Sequence, residues 1–300
     1  MTTSDNEIIS GVTTAFIDSG YNSNIAYKPA FISNNHERGE KVLATLEDEL
    51  RKCDSFIISV AFITLGGIEP LLMVLKELER KGVKGRILTT DYNMFTDPRA
   101  LEKLAGLSNI ELRMYHEVGV GNLTALNNYD EYKKPDTEKI GFHTKGYIFN
   151  RKEVFTVIIG SSNMTLSALT VNKEWNTKVV SKESGEFVKN VVKEFEELWN
   201  DNKHTRLYAD FIDDYRVRYN TIKKQRQIAL KYAHDNEDGN VVSIDQYKLQ
   251  PNKMQVGFIN SLKTIIDRGE NKALLISATG ERLIIVMPHG SAVNTRTLAA

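Results

Sequence analysis

The residues best equipped for chemistry lie in one segment, residues 143–176, which reads HTKGYIFNRKEVFTVIIGSSNMTLSALTVNKEWN. His143 and Lys145 are two apart, so on a strand both side chains take the same face. An apolar run then ends in Gly160, Ser161, Ser162 and Asn163, with Ser161 and Asn163 sharing the parity that closes a neighbouring strand. Glu174 opens a third strand-like stretch. An imidazole, an ammonium, a hydroxyl and a carboxamide would thus converge at one sheet edge. Lys145 supplies a point charge for an anion, and Ser161 and Asn163 supply neutral donors. Glu174 can accept from one ring nitrogen of His143, leaving the other as nucleophile or proton carrier. The set reads as a metal-free phosphate site that needs no cofactor.

Such residues need a rigid edge, and the flanking pattern supplies one. Residues 40–52 place Val42, Leu43, Leu46 and Leu50 on one helical face, and residues 55–63 form a β-branched, aromatic run suited to a buried strand. Gly66 and Gly67 break that run. Residues 68–80 return to helical spacing, 86–90 form a short strand, and Asp97 followed by Pro98 caps a further helix. Residues 110–115 read as a strand. Residues 116–141 have no period and read as a loop beside the active face. Residues 144–150 and 155–161 fit a hairpin, 174–181 another strand, and 184–200 an amphipathic helix. Strands alternating with helices imply an α/β/α layered domain with a mixed central sheet.

With six histidines and 39 Lys and Arg, a lone H-x-[KR] arises by chance roughly 0.8 times in such a chain. Joined to G-S-S-N after an apolar strand and a carboxylate on the next, it resembles the phospholipase D superfamily, whose hallmark is H-x-K followed by G-[SG]-x-N. The resemblance covers about residues 30–200. It implies that His143 and Lys145 occupy the H-x-K positions, Ser161 and Asn163 the G-S-x-N pair, and Glu174 the acid that orients histidine. It implies two H-x-K motifs per active site, one histidine attacking phosphorus and the other protonating the leaving oxygen, with no divalent ion. The motif is not duplicated here, so the resemblance implies a homodimer that brings two copies of His143 together. Many members carry Asp five residues after the lysine, where this chain has Asn150; nuclease branches often lack it and use the later Glu. The reading is a metal-independent endonuclease acting on nucleic acid, DNA in particular. The alternatives are a phospholipid or other small phosphodiester hydrolase, and a non-catalytic dimeric DNA-binding module.

Composition narrows the classes further. Across 300 residues, 39 Lys and Arg balance 39 Asp and Glu, so any nucleic-acid binding must come from a local basic patch. No window offers a membrane span, and the N-terminus lacks a secretory pattern, so a cytoplasmic protein without membrane association is expected. One cysteine, Cys53, excludes an internal disulfide framework and reads as an inert residue at a helix end. Weaker substrate-binding candidates are His116 (with Glu117, and more readily a surface pair), Lys133, Lys134, Arg151 and Lys223. Trp175 is expected in the core by strand alternation, and Trp199 docking the long helix.

The expected organisation is an extension over residues 1–30, the phospholipase D-like domain over 31–200, a charged helical linker over 201–245, and a separate segment over 246–300. Residues 248–280 resemble the opening of a superfamily two helicase, with Gln255 as the adenine-reading glutamine. After Ala278, Thr279 and Gly280, however, Glu281 and Arg282 stand where Gly-Lys-Thr belongs. A carboxylate there repels a triphosphate, so no ATP binding by this chain is expected. The last twenty residues match no helicase core and suggest a truncated or frameshifted end of a longer fusion, with residues 283–287 free to pair with 273–277 or with a partner chain.

Overall fold

Spacing and capping dictate most elements of the computed structural model, which describes residues 2–116, 141–237, 261, 264–265, 267–269, 272–276 and 282–286. In chain order they are α1 (Thr3–Phe16), β1 (Ala30–Ile32), α2 (Val42–Lys52), β2 (Ser55–Val60), α3 (Leu65–Ile68), α4 (Leu72–Arg80), β3 (Lys84–Thr90), α5 (Pro98–Ala105), β4 (Ile110–Tyr115), β5 (Lys145–Arg151), β6 (Val154–Gly160), α6 (Leu166–Thr170), β7 (Asn176–Lys182), α7 (Glu186–Trp199), β8 (Thr205–Leu207), α8 (Tyr208–Glu237), β9 (Lys272–Ile276) and β10 (Arg282–Val286). The chain divides into two compact units, 1–224 and 225–300. Residues 117–140, expected as a loop, lie outside the described residues.

In the first unit eight strands form one sheet in the order β1-β7-β6-β5-β2-β3-β4-β8. β2, β3 and β4 run parallel, and the other pairings are antiparallel. The mixed α/β/α architecture expected from the sequence is therefore present. One sheet face packs Phe56, Ile58 and Ile87 against Leu46 and Leu50 of α2, Leu75 of α4 and Leu101 of α5. The spacing of Val42, Leu46 and Leu50 makes that face of α2 apolar, and all three are buried. Asp97 caps α5 by accepting from Arg99 N–H, with Pro98 at the first helical position. Cys53 ends α2 in the core, and burial pushes its thiol up to about 12, which keeps it protonated and inert.

The other face is covered by α7. Val188 meets Ile148 and Val157, while Phe195 and Trp199 meet Ala61, Leu88, Tyr115 and Phe142. Trp199 does dock the helix: the Arg86 and Arg113 guanidinium carbons lie 5.5 and 4.4 Å from its ring centroid. Arg113 also donates to the Trp199 carbonyl at 2.9 Å.

The segment read from sequence as a linker contributes to the core. Phe211, Ile212 and Tyr215 of α8 are buried there, and the Tyr215 hydroxyl donates to Thr96 O at 2.8 Å. Their i, i+1, i+4 spacing was obscured by the dense charge around them. In the second unit β9 and β10 pair antiparallel, Arg282 opposite Ile276 and Val286 opposite Lys272. Gln255 and the 278–281 stretch lie outside the described residues.

Candidate active site

The antiparallel hairpin β5–β6 and the return along β7 bring the start of β5, the end of β6 and the start of β7 to one end of the sheet. Val60 pairs with Lys145, and Gly160 with Asn176. The parallel strands β2, β3 and β4 deliver their C-terminal ends to the same end. Just before β5, Ala61 N–H donates to Thr144 O at 3.0 Å, and the Ser59 and Thr144 hydroxyls are 2.7 Å apart. A side chain at Gly160 would run into the Trp175 carbonyl and Asn176, so the close approach of β7 requires glycine there.

The turn after β6 is pinned from inside by Ser162, which is fully buried. Its N–H donates to Asn176 Oδ1 at 3.4 Å, and its hydroxyl accepts from Asn176 Nδ2 at 2.9 Å. Its carbonyl accepts from the Tyr147 hydroxyl at 3.0 Å. Burial pushes the Tyr147 pKa well up, so it stays a neutral donor. With Ser162 turned inward, Ser161 and Asn163 on either side are turned outward. Asn163 Oδ1 accepts from Phe62 N–H at 3.1 Å, which fixes the amide and leaves its NH2 end as a donor. Thr165 then caps α6 by accepting from Ala168 N–H at 3.2 Å.

His143 is exposed and Lys145 half-buried. Lys145 Nζ lies 2.9 Å from Nδ1 and 3.2 Å from Nε2 of the His143 ring, and donates to the His143 carbonyl at 3.0 Å. An ammonium only donates, so the ring nitrogen it meets must offer its lone pair. Burial holds the Lys145 pKa below the ordinary lysine range, while the negative charge of Glu174 pulls it the other way. The Phe62 ring stands edge-on to the imidazole, centroids 6.1 Å apart.

His143, Lys145, Ser161 and Asn163 thus stand at one end of the sheet, and Glu174 joins them with a partner other than the one expected. It lies ahead of β7 rather than opening it, and its Oε2 accepts the Ser161 hydroxyl proton in a short hydrogen bond. Ser161 Oγ also accepts from Trp175 N–H at 3.1 Å. The carboxylate holds Ser161, not the His143 ring of its own chain.

Of the weaker candidates the structure describes, His116, Arg151 and Lys223, each has its contacts with other residues than the five above. His116 is fully buried, not a surface residue. Its Nδ1 is 2.9 Å from Asp91 Oδ2, its ring packs edge-on to Phe211, and its Nε2 has no partner among the described residues. Arg151 ends β5, roughly 20 Å along the strand from Lys145, and its guanidinium covers the Tyr27 ring. Asn150 sits at that far end too, its Oδ1 buried without a partner among the described residues. Lys223 is exposed on α8 above the Tyr219 ring. Glu117, Lys133 and Lys134 lie outside the described residues. Trp175 is 74% exposed instead of buried. Sequence reasoning missed Ser162 and Asn176, the polar pair inside the turn. No local pattern marks them, since Ser162 sits between Ser161 and Asn163 and Asn176 between Trp175 and Thr177.

A family model described as cardiolipin synthase, PLD-like domain, matches residues 46–199. No curated protein matches the chain. Among solved structures, NucT from Helicobacter pylori is similar at 16% identity and a TM-score of 0.43, covering 59% of this chain and 98% of its own. Nuc from Salmonella typhimurium, a phospholipase D family member, is similar at 18% identity and 0.40, covering 60% and 99%. Yeast tyrosyl-DNA phosphodiesterase is similar at 12% and 0.36, covering 64% and 40%.

Proposed function

The chain belongs to the phospholipase D-like domain family, whose superfamily comprises phosphodiester hydrolases and transferases, and from that premise we propose that it is an endonuclease hydrolysing nucleic acid, DNA in particular. The observation that carries this reading is the meeting of the Lys145 ammonium with the His143 ring nitrogens beside the fixed amide of Asn163. The asparagine at position 150, the acid at 174 and the helicase-like stretch over 248–280 favour nucleic acid over lipid.

The chemistry follows from what each group can do. A substrate phosphate draws Lys145 towards its oxygens and frees the lone pair of His143. That pair attacks phosphorus, forming a P–N bond as the bond to the leaving oxygen breaks. A second His143, from another copy of the chain, gives its proton to the leaving oxygen. Water then attacks phosphorus and yields a proton to that now neutral ring, and the P–N bond returns its pair to nitrogen. Lys145 and the Asn163 amide hold the equatorial oxygens as charge builds. Glu174 keeps the Ser161 hydroxyl in one orientation. The protons balance without a divalent ion, and the active unit is a homodimer. Monomers that keep full activity would contradict this pairing.

A second reading, phosphatidyl hydrolysis or transfer, is favoured by the description of the family, which names cardiolipin synthase. One experiment separates the readings. Wild type and His143→Ala are incubated in EDTA with plasmid DNA and with phosphatidylcholine. DNA cleavage by wild type alone supports the endonuclease. Lipid release selects the second reading. DNA binding with no turnover by either protein sinks the enzyme and leaves a binding module.

A further inference from the structure

Trp175 lies one residue past the carboxylate that holds Ser161, and 74% of it faces solvent. Its backbone is fixed nonetheless: the N–H donates to Ser161 Oγ and the carbonyl accepts from Ser161 N–H, both at 3.1 Å. Phe31 of β1, 63% exposed, meets it edge-to-face with centroids 5.7 Å apart and planes at 83°. Two aromatic faces are therefore held in fixed positions relative to a phosphate-site residue, with little ordering left for a ligand to impose. The sheet beside them is open as well. Phe31 pairs with Thr177 and Thr177 with Ile159, and both of those neighbours are exposed. A Cβ on Gly146, opposite Ile159, would meet nothing within 4 Å.

Charge runs alongside the rings. Lys173 is exposed two residues before Trp175. A groove of about 460 Å³ along Phe31 is lined by Lys28, Lys41 and Lys178, with Glu40 the one acid. Lys178 pairs with Glu49 at 3.5 Å, whereas Lys28, Lys41 and Lys173 have no carboxylate partner among the described residues.

Size argues for a small flat ligand. An aromatic side chain can bury ~150–250 Å², so the two rings expose roughly 300 Å² together. That is far below the ~800 Å² each partner gives a standard protein interface, and it suits one or two bases. We infer that Trp175 and Phe31 form a stacking platform for unpaired nucleobases, so that the strand reaching His143 is single-stranded beside the site and its backbone continues past Lys173 and the lysine-lined groove. This rests on the nucleic-acid reading and specifies the form of the substrate. Stacking tolerates any base, because every base has a π face.

The chain has two tryptophans, and Trp199 is buried, so quenching by direct contact with an added strand reports on Trp175. Full-length His143→Ala protein in EDTA is titrated with a short oligothymidylate, followed by tryptophan emission and by anisotropy of a labelled strand. The expected result is quenching that saturates with the anisotropy. Adding Trp175→Ala or Phe31→Ala weakens binding about tenfold or more, and Trp175→Phe restores most of it. Full affinity in Trp175→Ala overturns the platform, as does equal quenching by fully paired duplex. A shift of emission by phosphatidylglycerol vesicles but not by oligothymidylate assigns the rings to lipid. Conversion of a dimer to monomer by Trp175→Ala assigns them to a subunit contact. If wild type cuts plasmid through His143 while Trp175→Ala binds the strand as tightly as its parent, the platform alone fails. If no nucleic acid is bound or cut, the endonuclease reading fails with it.

Discussion

Asn176→Ala tests whether the turn after β6, which carries Ser161 and Asn163, is held from within. The side chain is 2% exposed and makes three hydrogen bonds, one at 2.9 Å to Ser162 Oγ and two long ones at 3.4 Å, from Ser162 N–H and to Ile32 O. The short bond contributes about 1 kcal/mol and the long ones less. Truncation also strands the Ser162 N–H at a residue with no exposure, at a cost of about 1–3 kcal/mol. Together these come to about 3 kcal/mol. Urea unfolding followed through the fluorescence of buried Trp199 should therefore show a lower midpoint at unchanged slope. Ser161 and Asn163 flank the loosened residue, so kcat/KM on DNA should fall about a hundredfold, the scale of an ångström misplacement. Asn176→Asp keeps the acceptor for Ser162 N–H but loses both donors and buries a charge, so it should be no milder. A midpoint within about 0.5 kcal/mol of wild type, with normal activity, would show that the turn is held by something else.

Three further outcomes follow from the same geometry. Lys145 has a lowered pKa through burial, so its charge is present below that value and lost as pH rises through it. Substrate affinity should decline on the alkaline side earlier than for an ordinary lysine, and Lys145→Arg should flatten that decline. Ser161 and Glu174 act as one unit, so a double-mutant cycle on kcat/KM for Ser161→Ala and Glu174→Gln should be strongly non-additive, with the double variant little worse than either single one. Trp199→Ala removes a ring bracketed by Arg86 and Arg113 and should cost about 3–5 kcal/mol in urea unfolding.

The layered architecture was legible because each strand from β2 to β6 carries its own apolar run, and Asp97 with Pro98 announces α5; the three-residue β1 was too short to show. That His143, Lys145, Ser161 and Asn163 stand near one another follows from β5 and β6 being adjacent antiparallel strands, since the start of β5 and the end of β6 share one sheet end, although only Lys145 of the four lies within a strand. Parity failed at Trp175 because β7 starts at Asn176, one residue later, and alternation does not extend into the preceding turn. His116 was misjudged because what covers it, Phe211, comes from a helix whose charge disguised it as a linker. The Ser162–Asn176 pair was invisible because it depends on cross-strand register, which no local pattern encodes. Likewise, nothing in the spacing reveals that Glu174 takes a serine rather than an imidazole.

The outermost strands of the large sheet, Ala30–Ile32 and Thr205–Leu207, are three residues each, while those between them run to six or seven. Borders so brief give a neighbouring molecule almost no ladder to extend. Two copies cannot readily fuse their sheets side by side into a continuous ribbon. A pairing of two copies would therefore have to use other surfaces than these edges, the strand ends beside His143 among them.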